Sequence, residues 1–238
     1  MKYYCDLHIH SALSPCGDKD MTPNNIVNMA QLCGLDIIAL CDHNSTGNVR
    51  ATIKASKDSP LLVVAGMELE TAENVHFVCL FENIDVAEEF DLWLAPFKPT
   101  IKNKPEIFGE QCYLDESDNV TGFEEMLLVN ACNISIYDVK KKIDTLPAVI
   151  IPAHIDRSSY SIISNLGTID SSFNFNCAEI ADIDTLDTLK KQHPYLNELK
   201  ILSGSDAHYL EHMRLKEHYI EPEENSIEAI LEYLKKPC

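Results

Sequence analysis

The chain has 238 residues, 45% of them hydrophobic, a formal net charge of −19 and an isoelectric point near 4.7. This length suits one domain of barrel size with an ample core. Because so acidic a surface repels a polyphosphate backbone, we expect no long nucleic acid as a partner. No apolar run approaches about 18 residues and the N-terminus has no basic-then-apolar leader, so we expect neither a membrane span nor a signal peptide.

Nine cysteines are scattered along the chain without a C-x-x-C pair, and most of them lie in apolar runs. Such a distribution is typical of buried, reduced thiols rather than of a disulfide framework. We therefore expect a cytoplasmic protein. The oligomeric state has no clear signal in the sequence.

Short apolar runs of strand type alternate with helical patterns. The first helix is predicted in "MTPNNIVNMAQLCG", where Thr22 is the cap, Pro23 occupies the first turn and Gly34 ends the helix. Others follow in "SIYDVKKKID" and "SIEAILEYLKK". The alternation predicts a parallel α/β architecture, and the number of runs favours a distorted seven-stranded β/α (TIM-like) barrel. The predicted strands are residues 3–8, 36–41, 61–65, 75–81, 148–152, 177–180 and 200–203.

One region interrupts this rhythm. Residues 96–134 contain several prolines and a hairpin pattern, "QCYLDESDNVTGFEE", with turn residues at Asp115 to Asn119. We predict a single barrel domain over residues 1–238, with this segment inserted as a loop and hairpin over one mouth of the barrel.

The chemistry-bearing side chains gather at predicted strand ends. Six of the nine histidines and two acids lie there, and in β/α barrels the carboxyl ends of the strands form one rim on which sites are built. These residues are His8, His10, His43, Glu68, His76, His154, Asp206 and His208.

The pair His8 and His10 alone would say little, because an H-x-H sequence in a strand arises by chance. Residues i and i+2 of a strand do point to the same face, so both rings can bind one ion. Six histidines and two acids on one rim have no structural purpose, because buried unpaired imidazoles and carboxylates destabilise a fold. The pattern therefore predicts a metal site.

The motifs "DLHIHS", "ALCDHNS", "GMELE", "VHFV", "IPAHIDR" and "GSDAH" together resemble those of the PHP family, named for polymerase and histidinol phosphatase. The resemblance runs over nearly the whole chain, with the motifs in the same order. It implies a distorted seven-stranded β/α barrel with two or three divalent ions (zinc, manganese or iron) and phosphoesterase chemistry.

The resemblance also implies how the ligands divide among the ions. One ion would be held by His8, His10, Glu68 and Asp206, and Glu68 would bridge to a second ion bound by His76 and His154. A third ion would take His43, His208 and a ligand from the loop after His10. This chain departs from the usual pattern in that loop, which leaves Asp18, Cys16 and Asp20 as alternatives, with Asp18 favoured. A thiolate there would favour zinc, whereas a carboxylate is compatible with manganese or iron.

The implied reaction is hydrolysis of a small phosphate monoester, a nucleotide or a short oligonucleotide by a hydroxide that bridges two ions. We expect Glu68, Asp206, His208 and Arg157 to serve catalysis. Arg157, three residues past His154, is the best candidate for gripping a phosphate with two parallel hydrogen bonds, although a salt bridge with a loop acid is its structural alternative.

Other polar residues near the rim have candidate roles. Asn44 and Ser45 follow His43 and are expected to contact substrate. Asp42 and Glu179 could orient the ligand imidazoles, although each could also be a solvated loop acid.

Two other classes of function compete with a phosphoesterase. A metal-dependent amidohydrolase also uses H-x-H on a β/α barrel, but such sites usually bridge their ions with lysine, and Glu68 occupies that place here. A non-catalytic metal-binding protein would be expected to lack ligands. We expect a small phosphorylated substrate and no membrane partner.

Overall fold

The computed structural model describes residues 1–237 and has an α/β fold. Ten strands and eight helices alternate along much of the chain. The strands are β1 (Tyr3–Ile9), β2 (Ile37–Leu40), β3 (Leu62–Glu70), β4 (His76–Phe81), β5 (Cys112–Leu114), β6 (Val120–Phe123), β7 (Ala148–Pro152), β8 (Cys177–Ile180), β9 (Lys200–Ser203) and β10 (Tyr219–Ile220). The helices are α1 (Pro23–Leu32), α2 (Val49–Ala55), α3 (Ile84–Leu94), α4 (Pro105–Phe108), α5 (Ile136–Ile143), α6 (Ile162–Leu166), α7 (Leu186–Gln192) and α8 (Ile227–Lys235).

The main sheet has six strands in the order β10-β1-β2-β3-β4-β7, and β8 pairs in parallel with β9 beside it. Backbone hydrogen bonds connect this pair and the residues after it to the chain that follows β7, at one edge of the sheet, and to the end of β1, next to the other edge. Ile155 N donates to Glu179 O (2.9 Å), and His10 N donates to Ala207 O (3.0 Å). Within residues 1–237 the ladders form a half-barrel sheet and two pairs, β5–β6 and β8–β9. The predicted α/β class is therefore confirmed, while closure into a seven-stranded barrel is not.

The prediction of an all-parallel strand arrangement is wrong at β4. This strand runs antiparallel to both of its neighbours, β3 and β7. Only residues 71–75 connect β3 to β4, whereas a crossover that returns the chain for parallel pairing needs a dozen or more residues. The start of β4 therefore lies at the same edge of the sheet as the end of β3.

Apolar side chains form a core on each face of the curled sheet. The inner core contains Leu7, Val64 and Leu202, and α8 covers it with Ile230 and Leu234. The outer core packs the opposite strand faces against the helices. Because each strand is covered on both faces, the strand runs are almost continuously apolar, which is the pattern that made them predictable.

The segment 96–134 contains α4 and the β5–β6 hairpin. The predicted turn is present, since Asp115 accepts hydrogen bonds from the backbone N–H groups of Ser117 and Asn119, both at 2.9 Å. The hairpin packs on the loops that follow β1 and β2, where Cys112 N donates to Ala12 O (2.9 Å). The segment therefore lies beside the rim that carries the histidines. No helix within residues 1–237 has the length and apolar character needed to cross a membrane.

Candidate metal centre

The eight predicted rim residues do come together. His8 lies within an irregularity in the pairing of β1 with β2, and His10 follows it. The backbone of His43 bridges to Glu68 near the end of β3. The antiparallel direction of β4 brings His76 to this rim from the start of its strand. Two of the eight have left-handed backbone, His154 (φ 30°) and Asp206 (φ 51°). Such strain is sustained where the surrounding structure fixes a functional geometry.

Three groups of side chains each lie close enough to hold one ion, with all ligand atoms within 4.8 Å of one another. They share members, so they form one continuous centre rather than three separate sites. The groups are His8, His10, Glu68 and Asp206; His43, Glu68 and His76; and His10, His43 and His208.

Glu68 lies at the middle of this centre and is 1% exposed. Its Oε1 is 2.8 Å from His76 Nδ1 and 3.1 Å from His154 Nε2, while its Oε2 is 2.9 Å from His43 Nδ1. The two carboxylate oxygens thus face different histidines, as expected for a carboxylate between two cations.

Two groups differ from the expectation: the second contains His43 instead of His154, and in the third His10 joins His43 and His208. The His10 and His208 rings stack with centroids 4.1 Å apart. Of the three loop candidates, the Cys16 side chain lies against His43, whereas Asp18 Oδ1 accepts a hydrogen bond from Asp20 N (2.8 Å). Asp20 is exposed. None of the three belongs to a ligand group within residues 1–237, so the identity of this ligand stays a prediction.

Buried atoms without hydrogen-bond partners show that the donor set fits metal ions. Glu68 Oε2, Asp206 Oδ1 and His154 Nδ1 are buried and make no hydrogen bond within the described chain. Such groups destabilise a fold unless a cation or another partner satisfies them. A mixture of imidazole and carboxylate ligands is suited to zinc, iron or manganese.

The two rings of the H-x-H pair give a second indication. His8 Nδ1 is 2.9 Å from Glu179 Oε1, and His10 Nδ1 is 2.9 Å from Ser14 Oγ. If each Nδ1 carries the proton, both Nε2 atoms carry lone pairs, and these atoms lie 3.2 Å apart. Two lone pairs in this position are stabilised by a cation between them.

The electrostatics of the centre keep its two carboxylates ionised and the His208 ring neutral. Burial opposes ionisation of Glu68, but the surrounding histidines, His76 foremost, hold its pKa well below the usual range. Burial likewise opposes ionisation of Asp206, and His8 and His10 keep its pKa below its ordinary value. Burial and the neighbouring His10 lower the pKa of His208 to about 3, so this ring is neutral and its lone pair is available.

Further carboxylates hold the ligand rings. Glu179 is 4% exposed and contacts His8 Nδ1, and it also accepts a hydrogen bond from His154 N (3.1 Å). Asp42 acts through a serine, because Ser14 Oγ donates to Asp42 Oδ1 (2.7 Å) while facing His10 Nδ1. A carboxylate behind a ligand imidazole fixes its tautomer and raises its basicity.

The prediction from sequence did not include Glu70 or Ser14, which connects Asp42 to His10. Glu70 Oε2 lies 3.6 Å from His76 Nε2, on the side of the ring away from Glu68, and Glu70 is 3% exposed. The signal was present in "GMELE", since residues i and i+2 of a strand share a face. Ser14 had no such signal because its contact depends on the path of the loop after His10.

Arg157 lies on the rim and contacts Asp206, with Nη1 2.5 Å from Oδ2. Its side chain is 45% exposed, so the guanidinium lies at the opening of the centre. The Asn44 amide is committed to the backbone, because its Nδ2 donates to Leu128 O (2.7 Å) and its Oδ1 accepts from Glu70 N (2.9 Å). Substrate contacts by Arg157, Asn44 and the buried Ser45 stay predictions.

The model of the PHP domain family matches residues 6–235, which is nearly the whole chain. The chain belongs to the PHP domain family. An uncharacterised protein of Methanocaldococcus jannaschii is 34% identical over 89 residues, covering 34% of this chain and 52% of that protein. A 5′-3′ exoribonuclease of Haemophilus influenzae is 31% identical over 78 residues, covering 32% of this chain and 27% of that protein. These matches span about half or less of the curated relatives.

Solved structures share the fold of this PHP chain. The lesion-specific endonuclease Q of Pyrococcus furiosus has a TM-score of 0.73 at 22% identity, covering 99% of this chain and 56% of that one. An amidohydrolase of Chromobacterium violaceum, solved with bound sulfate, has a TM-score of 0.61 at 18% identity, covering 96% of each chain. At these identities the likeness establishes the fold alone.

The expectation, based on net charge, that the protein has no long nucleic acid as a partner is wrong. Endonuclease Q, with the same fold, was solved with a 27-mer duplex that has an abasic lesion at its active site. Net charge averages over the whole surface, whereas a metal centre supplies local positive charge where the phosphate binds. The net charge of −19 therefore does not define the substrate of a PHP protein.

Proposed function

We propose that this protein is a metal-dependent phosphoesterase whose substrate is a phosphate monoester, a nucleotide or an oligonucleotide end. The observation that carries the proposal is the continuous centre of three ligand groups around Glu68, with buried oxygens that lack hydrogen-bond partners. Membership of the PHP family supports a metal-dependent hydrolase. The exposed Arg157 beside the centre supports an anionic substrate.

The chain supplies binding groups in positions suited to two or three divalent ions. His8, His10, Glu68 and Asp206 would hold the first ion. Glu68, His76 and His154 would hold the second, with His43 beside them. His10, His43 and His208 would hold the third, together with Cys16 or Asp18. Divalent ions there supply Lewis acidity, which lowers the pKa of a water and neutralises phosphate oxygens.

Residues behind the ligand rings fix the orientation of those rings. Glu179 and the Ser14–Asp42 pair keep His8 and His10 in one ring orientation, so the ligand set is organised before substrate binds. Arg157 would exchange its Asp206 contact for a phosphate oxygen. Because Asp206 keeps its second oxygen directed at His10 (3.0 Å), the exchange leaves that ligand in place.

We also propose that the strands form a distorted seven-stranded barrel, with residues 1–238 as one PHP-type domain and the segment 96–134 as its insertion. The support is the pair of backbone bonds that connect β8 to the chain after β7 and the chain after β9 to the end of β1. The free thiols, mostly buried, fit a reducing, cytoplasmic environment.

A metal-dependent amidohydrolase is the second candidate, because the amidohydrolase of Chromobacterium violaceum shares the fold. Glu68 lies between the ligand groups, in the place where amidohydrolases usually have a bridging lysine, and this favours the phosphoesterase. The test is hydrolysis of a panel of phosphate esters against a panel of amides and lactones by the full chain, with Mn²⁺, Fe²⁺ or Zn²⁺ added. Phosphate release supports the proposal. Turnover confined to amides or lactones would refute it.

A further inference from the structure

Tyr160 is an exposed aromatic residue at the opening of the metal centre. Its ring stacks on His76, with centroids 4.9 Å apart and an interplanar angle of 25°. His76 Nδ1 in turn contacts Glu68, so a single stacked ring separates Tyr160 from the central carboxylate. Tyr160 is 48% exposed while His76 beneath it is 8% exposed, so the ring covers the ligand and presents its other side to solvent.

The backbone at Tyr160 is strained. Its φ is +57°, in the left-handed region that a bulky residue rarely occupies. Two bonds fix the loop in this shape: His76 N donates to Tyr160 O (2.9 Å), and Ser161 Oγ donates to Arg157 O (2.8 Å). Both bonds use backbone carbonyls or Ser161, so glycine or asparagine at position 160 would satisfy them with less strain. The tyrosine ring therefore supplies something that the backbone does not need.

The surroundings of the ring indicate what it binds. The Tyr160 hydroxyl makes no hydrogen bond within residues 1–237. In the same part of the chain, the Tyr160 ring contacts one other ring, that of His76. Arg157, three residues earlier on the same loop, contacts Asp206 at the opening of the centre. A phosphate bound by Arg157 would lie beside the loop that also carries Tyr160. An exposed aromatic face beside a phosphate site is suited to stacking with a planar base.

We propose that Tyr160 is the stacking platform for a nucleobase, so that the substrate is a phosphate carried by a nucleoside. This inference rests on the proposed phosphoesterase function and names its substrate class. The nucleoside phosphate could be a free mononucleotide or the end of a strand, and both present the same chemistry to Tyr160.

The test compares ligands that differ only in the base. Adenosine 5′-phosphate and ribose 5-phosphate are used as phosphonate analogues, in which CH₂ replaces the ester oxygen and prevents hydrolysis. Binding to the full chain is measured by calorimetry with Mn²⁺ present. We expect the wild type to bind the adenosine analogue about tenfold more tightly, because stacking on an aromatic ring contributes about that much per base.

Three variants identify the source of this preference. Tyr160→Asn removes the ring and tolerates the positive φ, and we expect the preference to fall below about twofold while ribose analogue binding is unchanged. Tyr160→Phe keeps the ring and should keep the preference. Tyr137→Asn, at an exposed tyrosine on α5, is the matched control and should behave as wild type. A thermal melt of each variant verifies that it folds.

The outcomes separate this inference from the proposed function. A wild type without base preference, a preference that survives Tyr160→Asn, or equal losses for both ligands would overturn the stacking role. Equal losses would instead mean that Tyr160 only covers His76. Base-dependent binding without hydrolysis of the parent esters would overturn the phosphoesterase and keep the platform. A preference for a 5′-phosphorylated dinucleotide over the mononucleotide would identify a strand end as the source.

Discussion

Replacing Glu179 by glutamine tests whether the carboxylates behind the ligand rings organise the metal centre. Glu179 Oε1 faces His8 Nδ1 at 2.9 Å and His154 N at 3.1 Å, and the side chain is buried. Glutamine has nearly the same shape, so its Oε1 can accept both hydrogen bonds while the negative charge is lost. The change therefore isolates the charge from the geometry.

The expected loss can be estimated from these contacts. Mutation of a residue behind a metal ligand costs about 10- to 100-fold in metal affinity. Because Glu179→Gln keeps both hydrogen bonds, we expect the lower end, about tenfold or about 1.4 kcal/mol. Glu179→Ala also leaves the two N–H groups unpaired. We expect it to approach about 100-fold and to destabilise the fold by about 1–3 kcal/mol per orphaned donor.

The assay is a competition titration of Zn²⁺ or Mn²⁺ against a chelator of known affinity, with chemical denaturation beside it. Glu198→Gln, at an exposed position on the surface, is the control and should bind metal as the wild type does. Unchanged metal affinity in Glu179→Gln, together with a fully folded protein, would refute the role assigned to this carboxylate.

Four further predictions follow from the same geometry. Metal removal by a chelator should lower Tm by about 10 °C, because a ligand at about 1,000 times its Kd stabilises the folded state by about 4 kcal/mol. An unchanged Tm would mean that these residues bind no ion. Arg157→Ala should raise KM for phosphate esters about tenfold or more and leave the metal content intact, and loss of metal instead would make Arg157 a support for Asp206. Asn44→Gly tolerates the positive φ but removes the hydrogen bonds to Leu128 O and Glu70 N, so limited proteolysis should first cleave within residues 96–134. Resistance to the protease equal to that of the wild type would show that other contacts hold the segment. Cys16→Ala should lower metal stoichiometry more than Asp18→Asn does, since Cys16 lies against His43, and the reverse order would make Asp18 the ligand.

Much of the candidate metal centre was predictable because its histidines and carboxylates lie at the ends of strongly apolar strands. His8, His43, His154 and His208 each follow such a run, and strand ends converge on one rim whatever the details of the fold. His76 joined them for a different reason. Its strand begins at the rim because a five-residue connection, residues 71–75, forces antiparallel pairing, which apolar composition alone does not reveal.

The supporting contacts depended on tertiary structure. Glu179 was a candidate for orienting a ligand imidazole, but no periodicity predicts that its partner is His8, 171 positions away in sequence. The Asn44 amide was expected to face substrate but binds the backbone of the segment 96–134, whose position over the rim was only outlined by its prolines and turn residues. Tyr160 was missed because its significance lies in a strained φ and a stacked ring.

The most direct test of the central claim is phosphate release measured together with metal content in wild type and His10→Ala. His10 belongs to two of the three ligand groups, so its loss should remove at least one ion and reduce hydrolysis of phosphate esters to background. The control is His193→Ala, at a half-buried histidine that follows α7 and belongs to no ligand group. Wild type that binds two or three ions and releases phosphate, with His10→Ala deficient in both, is the result that we predict. A His10→Ala protein that loses its metal and still hydrolyses phosphate esters would contradict the account.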